Sequence, residues 1–281
     1  MSKLLTHGLL GRSLKYLVRS RRAPEAFLRR SLVSDATPPK LMLLTFHKSG
    51  SHLVTKVLEE MGIGIRWASY DYSLADFFAL PDKACLTTHF SPRGHAAKDI
   101  YELIQAGRIL VILNFRDPRD ICVSRSHWAT LADSDAYTPR LQFERIVNSR
   151  FSSHEELLTS IIRGDQLSAD PSSQLAWSVG DMFRESRALF FHPAVHKVRF
   201  EDLVGARGGG TETAQFTAIS GLASFLGVSA NTADIAQSAF SQQALTFRRG
   251  QIGGYRAAFS DAHHQLFNDL HSDILKDYGY E

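Results

Sequence analysis

The sequence LMLLTFHKSGSHLVTKVLEEMG, residues 41–62, decides the fold of this chain. It begins with an apolar run over 41–46 that is long enough for one buried strand, and a short turn containing a glycine follows. Apolar residues then recur at helical spacing, at Leu53, Val57, Leu58 and Met61. The order of strand, small-residue turn and helix predicts a site for a phosphate-like anion, because the first N–H groups of a helix point at such a turn.

Two side chains of the turn suit an anion. Lys48 contributes a full positive charge, and Ser51 contributes a hydroxyl group. The pattern differs from the Walker phosphate-binding loop, G-x-x-x-x-G-K-[ST], because here the lysine precedes the glycine. A turn that merely carries an exposed lysine is the alternative interpretation of the same residues.

Length and composition narrow the class of protein. A chain of 281 residues suits one large α/β domain or two small ones. The formal net charge of +3 predicts no general affinity for nucleic acid. Two cysteines, Cys85 and Cys122, are too few for a disulfide scaffold or a zinc site, so we expect a reducing compartment and a cytoplasmic location.

Residues 1–39 differ from the rest and are expected to form a basic helical segment and linker ahead of one domain over 40–281. The segment has no acidic residue before Glu25, and its leucines recur at roughly helical spacing. Three interpretations stay open: a basic helix packed on the domain, which we favour, a peripheral membrane contact through residues 1–30, or an organelle transit peptide.

Strands and helices alternate along the remaining chain. Further strands are predicted over 84–89, 109–115 and 196–200, and a flexible connection over 207–211. Helices are predicted over 95–105, 143–162, 174–190, 211–226, 232–240 and 263–278, and a further one follows Pro118. This alternation predicts an α/β fold with a central, mainly parallel sheet flanked by helices.

Polar residues stand where two of the predicted strands end. His89 closes one strand, at the position where α/β sheets open their ligand crevice, although a structural histidine would look the same. Arg116 and Arg119 follow the most apolar strand, and arginine suits bidentate phosphate binding. The turn with Lys48, the loop with Arg116 and Arg119, and the basic sequence over 247–250 make three basic loops. Together they predict a ligand with two separated anionic groups.

Five motifs in this order resemble the sulfotransferase family, which uses 3′-phosphoadenosine 5′-phosphosulfate (PAPS). The sequence over 45–51, TFHKSGS, resembles T-[YF]-P-K-S-G-T, and RDPRD over 116–120 with Ser124 resembles R-x-P-x-D-x-x-x-S. Thr88 and His89, which precede a proline, resemble T-H-x-P. FEDL over 200–203 resembles Y-E-D-L, and FRRGQIGGYR over 247–256 resembles R-K-G-x-x-G-D-W-K. The resemblance implies a P-loop-NTPase-like sulfotransferase fold over about 40–281.

The resemblance also implies roles for individual residues. His89 would act as general base, and Lys48 would neutralise charge on the departing nucleotide, joined by N–H groups of the turn and first helical residues. The residues that would hold PAPS are Lys48, Ser49, Gly50, Ser51, His52, Arg116, Ser124, Phe200, Arg248, Arg249 and Gly250. No metal would be needed. The sulfuryl group would pass to a hydroxyl of a glycan or other alcohol, with acceptor contacts expected over 64–80 and 131–172.

Departures from the family pattern limit these expectations. His47 stands in place of the proline, and His52 with Leu53 in place of a threonine–tryptophan pair whose aromatic ring would contact adenine. The family's dimer motif is also missing, where this chain has Arg256, Ser260, Asp261 and Gln265, so we expect no dimer through that segment. These changes indicate a distant branch, with a bacterial source as one option.

Two other functions compete with sulfotransfer. A catalytically silent nucleotide-binding protein of the same fold would not need both Lys48 and His89, and both are present. A nucleotide kinase would also use a phosphate loop after the first strand, but the Walker lysine and a Mg²⁺-binding pair are missing from the sequence.

Overall fold

A computed structural model describes residues 39–68, 72–90, 96–130, 149–167, 177–239 and 250–281. The predicted N-terminal segment, apart from residue 39, lies outside these residues. So do Arg248, Arg249 and two parts of the expected acceptor segment, 131–148 and 168–172. No helix of the described part of the chain is long and apolar enough to span a membrane.

The centre of the fold is a five-stranded sheet whose neighbouring strands are all parallel. Its strands are β1 (Lys40–Thr45), β2 (Gly64–Trp67), β3 (Ala84–His89), β4 (Ile109–Phe115) and β5 (Val195–Arg199). They lie in the order β2-β3-β1-β4-β5. The predicted parallel α/β architecture is therefore confirmed for the described residues, with β1 in the middle.

Helices cover both faces of the sheet. They are α1 (Ser51–Glu60), α2 (Leu74–Phe78), α3 (Ala96–Gln105), α4 (Pro118–Thr130), α5 (His154–Arg163), α6 (Val179–Phe191), α7 (Phe200–Leu203), α8 (Glu212–Leu226), α9 (Thr232–Ala239), α10 (Tyr255–Ala258) and α11 (Asp261–Asp277). One core contains side chains of α3, α4, α5, α6 and α11, and the other contains side chains of α1, α8 and α9.

The two cores explain why β1 reads as a continuous apolar run. Met42 and Leu44 pack into the first core, whereas Leu41 and Leu43 pack into the second. Side chains alternate across a strand, so a strand covered on both faces needs apolar residues at every position. All six residues of β1 are buried.

Three local features differ from the sequence predictions. The edge strand β2 was not predicted, because its four residues are mostly exposed and carry no apolar run. The stretch over 207–211, predicted as a flexible connection, contains a 3₁₀ turn over Ala206–Gly208 that ends at Gly209, with φ of 88°. The Gly208 carbonyl there accepts a hydrogen bond of 2.9 Å from the N–H of Ile252, so the connection is anchored. Phe200 begins α7 and is not the end of β5.

The turn between β1 and α1 depends on Gly50. Its φ of 86° lies in the left-handed region that favours glycine. A Cβ atom at this position would also collide with the ring of Phe200, at the start of α7. Backbone conformation and close packing therefore both require glycine at this point.

Gly50→Ala is expected to lower the free energy of unfolding by about 2–4 kcal/mol, which combines left-handed strain of roughly 1–2 kcal/mol with an overpacking cost. The matched control is Gly62→Ala, because Gly62 has a φ of 80° with nothing within 4 Å of an added Cβ. Urea denaturation of both variants measures the difference. Equal losses would mean that the Phe200 contact imposes no constraint.

Candidate active site

The carboxyl ends of the three central strands bring polar residues to one edge of the sheet. Thr45 at the end of β1 is in register with His89 on β3 and with Asn114 on β4. The turn that carries Lys48 leaves β1 directly above this row, and Arg116 follows β4. In open parallel sheets this edge, near the strand where the connections change direction, is where ligands bind.

Buried hydrogen bonds hold the turn after β1. The Ser49 hydroxyl lies 2.7 Å from the Phe46 carbonyl and 2.6 Å from Oδ1 of Asn114. Asn114 in turn donates from Nδ2 to the carbonyl of Val198 on β5, at 3.2 Å. Ser49 and Asn114 are both fully buried. The turn is thus fastened through β4 to β5.

Ser49 has partners within the protein for both its hydroxyl and its N–H, and its role as a nucleotide contact stays a prediction. Its side chain is committed to the brace, and its N–H donates to the Phe46 carbonyl at 3.2 Å. The N–H groups at the start of α1, those of Gly50, Ser51 and His52, are the ones that a helix N-terminus would offer to an anion. Ser51 is buried at the first helical position.

Lys48 adopts an unusual backbone conformation. Its φ of 69° makes it the one residue other than glycine with a positive φ in the described ranges. Its side chain is half-buried, and the ammonium group lies 5.7 Å from the centre of the Trp128 ring. Strained backbone of this kind persists only where the surrounding structure enforces it, and it is frequent at functional sites.

His89 lies among aromatic rings at the end of β3. Its Nδ1 atom is 2.8 Å from the hydroxyl of Thr45, and its ring centre is 3.9 Å from that of His47 and 5.8 Å from that of Trp67. Burial, more than the charges of the neighbouring Lys48 and Arg125, lowers the pKa of His89 to about 4. The imidazole is therefore neutral at pH 7 and able to accept a proton.

The two other histidines of this edge are also kept neutral. Burial, followed by the charge of His89, lowers the pKa of His47 well below its ordinary value. Burial and Lys48 lower the pKa of the exposed His52. His52, predicted to contact the nucleotide, lies with its ring centre 5.5 Å from Trp67 of the edge strand β2.

Arg116 lies on the other side of the turn, near β4 and β5. Its guanidinium group donates to the carbonyl of Gln251 at 2.8 Å and to Asp120 at 3.3 Å, and it lies 4.4 Å from the centre of the Phe200 ring. It also reaches the Lys48 carbonyl, at 3.5 Å. Its Nε atom is buried and makes no hydrogen bond within the described residues.

Asp120 holds the glycine-rich segment after residue 250 next to Arg116 by hydrogen bonds. Its two carboxylate oxygens accept hydrogen bonds from the N–H groups of Gly253 and Tyr255, each at 2.9 Å. The carboxylate is almost completely buried, with 1% of its side chain exposed. Ser124 follows Asp120 by one helical turn on α4 and is half-buried. Gly250 begins the segment with a φ of 56°.

A second carboxylate supports the loop that carries Arg116. Glu201 accepts hydrogen bonds from the Asp117 N–H at 2.9 Å and from the Tyr280 hydroxyl at 3.0 Å. Burial raises its pKa. Arg119 does not face the crevice, because it forms an ion pair with Asp117 and donates to the Tyr280 carbonyl. Sequence reasoning missed Tyr280, and no motif in the chain pointed to it.

Comparison with known proteins identifies the fold. No protein-family model and no curated protein matches the chain. Among solved structures it is similar to mouse sulfotransferase SULT7A1 complexed with PAP, with a TM-score of 0.60 and 19% identity over 85% of this chain and 84% of that one. It is also similar to a retinol dehydratase in complex with androsterone and inactive cofactor PAP, with a TM-score of 0.57 and 14% identity over 84% and 80% of the two chains. The chain has a sulfotransferase fold.

Within this sulfotransferase fold, most of the predicted site residues that the structure describes surround one turn. Lys48, Ser51 and His52 belong to it, while His89 and Arg116 flank it on opposite sides. Phe200 packs against Gly50 and Arg116. Their roles toward a ligand stay predictions. Among the described residues, no group of three or more His, Cys, Asp or Glu side chains could hold a metal ion.

Asp120→Asn tests whether the buried carboxylate anchors the segment after residue 250. Loss of the charge should weaken its hydrogen bonds to Gly253 and Tyr255 by about 1–2 kcal/mol, so the exchange of these two amide hydrogens should accelerate roughly 5- to 30-fold. Hydrogen exchange followed by NMR measures this. The control is Asp202→Asn, which removes an exposed carboxylate of α7. Unchanged exchange at Gly253 and Tyr255 would remove the anchoring role.

Proposed function

We propose that this protein is a PAPS-dependent sulfotransferase that transfers a sulfuryl group to a hydroxyl of a glycan or other alcohol. The observation that supports this most is the arrangement of three groups about one turn. Lys48 lies in the turn itself, His89 follows the strand on one side, and Arg116 follows the strand on the other. The sulfotransferase fold is consistent with this chemistry but would not suffice without these residues.

The donor set fits a nucleotide with two anionic ends. The N-terminus of α1 and the Lys48 ammonium group suit the 5′-phosphosulfate, because both offer positive charge at the turn. Arg116 suits the 3′-phosphate, because its buried Nε lacks an acceptor among the described residues. Bound PAPS would supply an activated sulfuryl group on a phosphate leaving group.

His89, Lys48 and Arg116 each have a separate role in the sulfuryl transfer. The acceptor oxygen forms a bond to sulfur as the bond from sulfur to the bridging phosphate oxygen breaks. His89, neutral at pH 7, takes the acceptor's proton on Nε2. Lys48 stabilises the negative charge that develops on the bridging oxygen, and the electron pair of the broken bond leaves with 3′,5′-ADP. Arg116 holds the 3′-phosphate and contributes orientation.

The acceptor would approach from the side of β3 and β2. Arg116 lies toward β4 and β5, whereas β3 and β2 lie on the opposite side of β1. Trp67 lies there at the end of β2, close to His89, with 40% of its surface exposed. An exposed indole beside a general base offers an apolar face to a ring-bearing alcohol. The cytoplasmic location and a peripheral membrane contact through residues 1–30 stay predictions of the sequence.

Incubation with PAPS carrying a labelled sulfuryl group tests the proposal directly, with γ-labelled ATP as the competing donor and with and without Mg²⁺. We expect labelled product from PAPS, without need of Mg²⁺, on at least one member of a panel of pyranosides, phenols and linear alcohols. Transfer from ATP that requires Mg²⁺ would identify a kinase instead. Tight binding of 3′,5′-ADP without turnover on the whole panel would identify a silent nucleotide-binding protein.

His89→Ala should lower kcat by roughly 10²–10⁴-fold, because the proton of the acceptor would have no base in reach. The affinity for 3′,5′-ADP should stay within about twofold of wild type, since the imidazole does not bind the nucleotide in this proposal. Steady-state kinetics and calorimetric titration measure the two effects. Near-normal turnover would exclude His89 as the base.

The pH dependence of kcat/KM should show an acidic limb well below pH 6.5. His89 must be neutral to accept a proton, so activity falls as the pH falls through its pKa in the free enzyme. Burial lowers that pKa to about 4, and kcat/KM should therefore stay level down to about pH 5. Full recovery of activity after return to pH 7 serves as the control against acid unfolding. A limb centred near pH 6.5 would contradict the assignment.

Arg116→Ala should weaken binding of PAPS and 3′,5′-ADP by roughly 10- to 100-fold, the range expected for lost charge-assisted hydrogen bonds. Adenosine 5′-phosphosulfate, which has no 3′-phosphate, should be affected much less. Arg66→Ala removes an exposed arginine of β2 and controls for the change in net charge. Equal weakening of all three ligands would argue against a 3′-phosphate contact.

A further inference from the structure

The hydrogen bond between Thr45 and His89 joins the central strand to the proposed base. Thr45 Oγ1 and His89 Nδ1 lie 2.8 Å apart, and the two residues are in register on neighbouring strands. Thr45 is fully buried at the end of β1. Parallel register and burial fix the hydroxyl beside one particular nitrogen of the imidazole, so the other nitrogen, Nε2, is directed away from the strand.

The direction of this hydrogen bond follows from the other acceptors around it. The Thr45 hydroxyl can donate its own proton to the Thr88 carbonyl, whose oxygen lies 3.5 Å away. The Thr45 backbone carbonyl also faces the His89 ring, and its acceptance of a hydrogen bond raises the pKa of the imidazole. The Thr45 hydroxyl, whose own proton can go to the Thr88 carbonyl, is therefore placed to accept the proton of Nδ1. A neutral imidazole that carries its proton on Nδ1 has a bare Nε2.

Neighbouring rings restrict a flip of the His89 imidazole, which would exchange its two nitrogens. The His47 ring lies 3.9 Å away, centre to centre, with an angle of 37° between the planes, and Trp67 lies at 5.8 Å. His47 is buried and neutral at pH 7, because burial lowers its pKa. It thus supports the ring without placing a positive charge beside the imidazolium that forms when His89 accepts a proton.

We propose that Thr45 is a positioning residue that selects the Nδ1–H tautomer of His89 and so keeps Nε2 bare toward the acceptor. A base with its proton on the wrong nitrogen cannot take a second one from an alcohol at that atom. The catalytic part of this inference rests on the proposed function. The tautomer itself is a property of the free protein and does not.

Three variants separate the hydroxyl from the packing around it. Thr45→Val keeps the branched shape and removes the hydroxyl, whereas Thr45→Ser keeps the hydroxyl. Thr88→Val is the matched control, because the Thr88 hydroxyl is equally buried, lies on the opposite face of β3 and makes no hydrogen bond within the described part of the chain. Thr45→Val and Thr88→Val each remove one buried hydroxyl from the same region, and Thr45→Ser removes only a methyl group.

NMR of ¹⁵N-labelled imidazoles in the free protein reads the tautomer without any substrate. We expect His89 to carry its proton on Nδ1 in the wild type, in Thr45→Ser and in Thr88→Val, and to show a substantial Nε2–H fraction in Thr45→Val. A wild-type His89 protonated on Nε2, or a Thr45→Val spectrum identical to wild type, would overturn the proposal. Either result would leave the proposed sulfotransfer untouched.

Kinetics tests the catalytic consequence. Thr45→Val should lower kcat about tenfold or more, as expected for the loss of one hydrogen bond that orients a base, while KM for PAPS changes by less than about twofold. Thr45→Ser should restore most of kcat. A fall in kcat that serine does not restore would indicate a packing defect and contradict the proposal. Absence of turnover in the wild type would refute the proposed function, and the NMR result would still decide the tautomer.

Discussion

The buried hydrogen bonds of Asn114 are the constraint on which the site depends. This one side chain, at the end of the most apolar strand, accepts from the Ser49 hydroxyl and donates to the Val198 carbonyl. A buried amide that lost either partner would leave an unsatisfied polar group at a cost of about 1–3 kcal/mol. The turn after β1 is therefore held in place by the sheet itself, and Lys48 can be kept in a strained backbone conformation at its apex.

The strand order divides the crevice into two sides. β1 lies between β3 and β4, so the residues directly at the ends of β4 and β5 lie on one side of the turn and those at the ends of β3 and β2 lie on the other. The arginine and the two carboxylates that support its loop belong to the first side. The imidazoles and the exposed indole belong to the second. This separation would suit the proposed transfer from a doubly anionic donor to a neutral acceptor.

The sequence predicts those parts of the fold that depend on local pattern. β1, β3 and β4 read as apolar runs because helices cover both faces of the sheet, and the motif at 45–51 locates the turn. β2 escaped prediction because an exposed edge strand of four residues has no such run. The loop over 207–211 looked flexible because glycines predict freedom, whereas its hydrogen bond to Ile252 joins residues far apart in the chain.

The residues of the candidate site also fall into those that the local sequence predicts and those that it does not. Lys48, His89 and Arg116 could be found because each follows a recognisable strand or motif. The roles of Ser49 and Asp120 could not, because hydrogen bonds to Asn114 and Tyr255 span 65 and 135 residues and leave no trace in local sequence. The motif assigned Ser49 to the nucleotide, whereas its hydrogen bonds to Phe46 and Asn114 could be seen only in the fold. Motifs indicate which residues matter, but only the fold shows what they contact.

The replacement of a proline by His47 has an electrostatic consequence for the base. Two imidazoles with ring centres 3.9 Å apart cannot both be charged in a buried environment, and after burial the charge of His89 is the largest cause that lowers the pKa of His47. A proton taken up by His89 is therefore held weakly as long as the crevice contains no anion. A bound phosphosulfate would bring negative charge beside the rings and favour the imidazolium. If the proposed donor nucleotide binds at the turn, His89 would therefore hold the acceptor's proton more firmly than it does in the free protein.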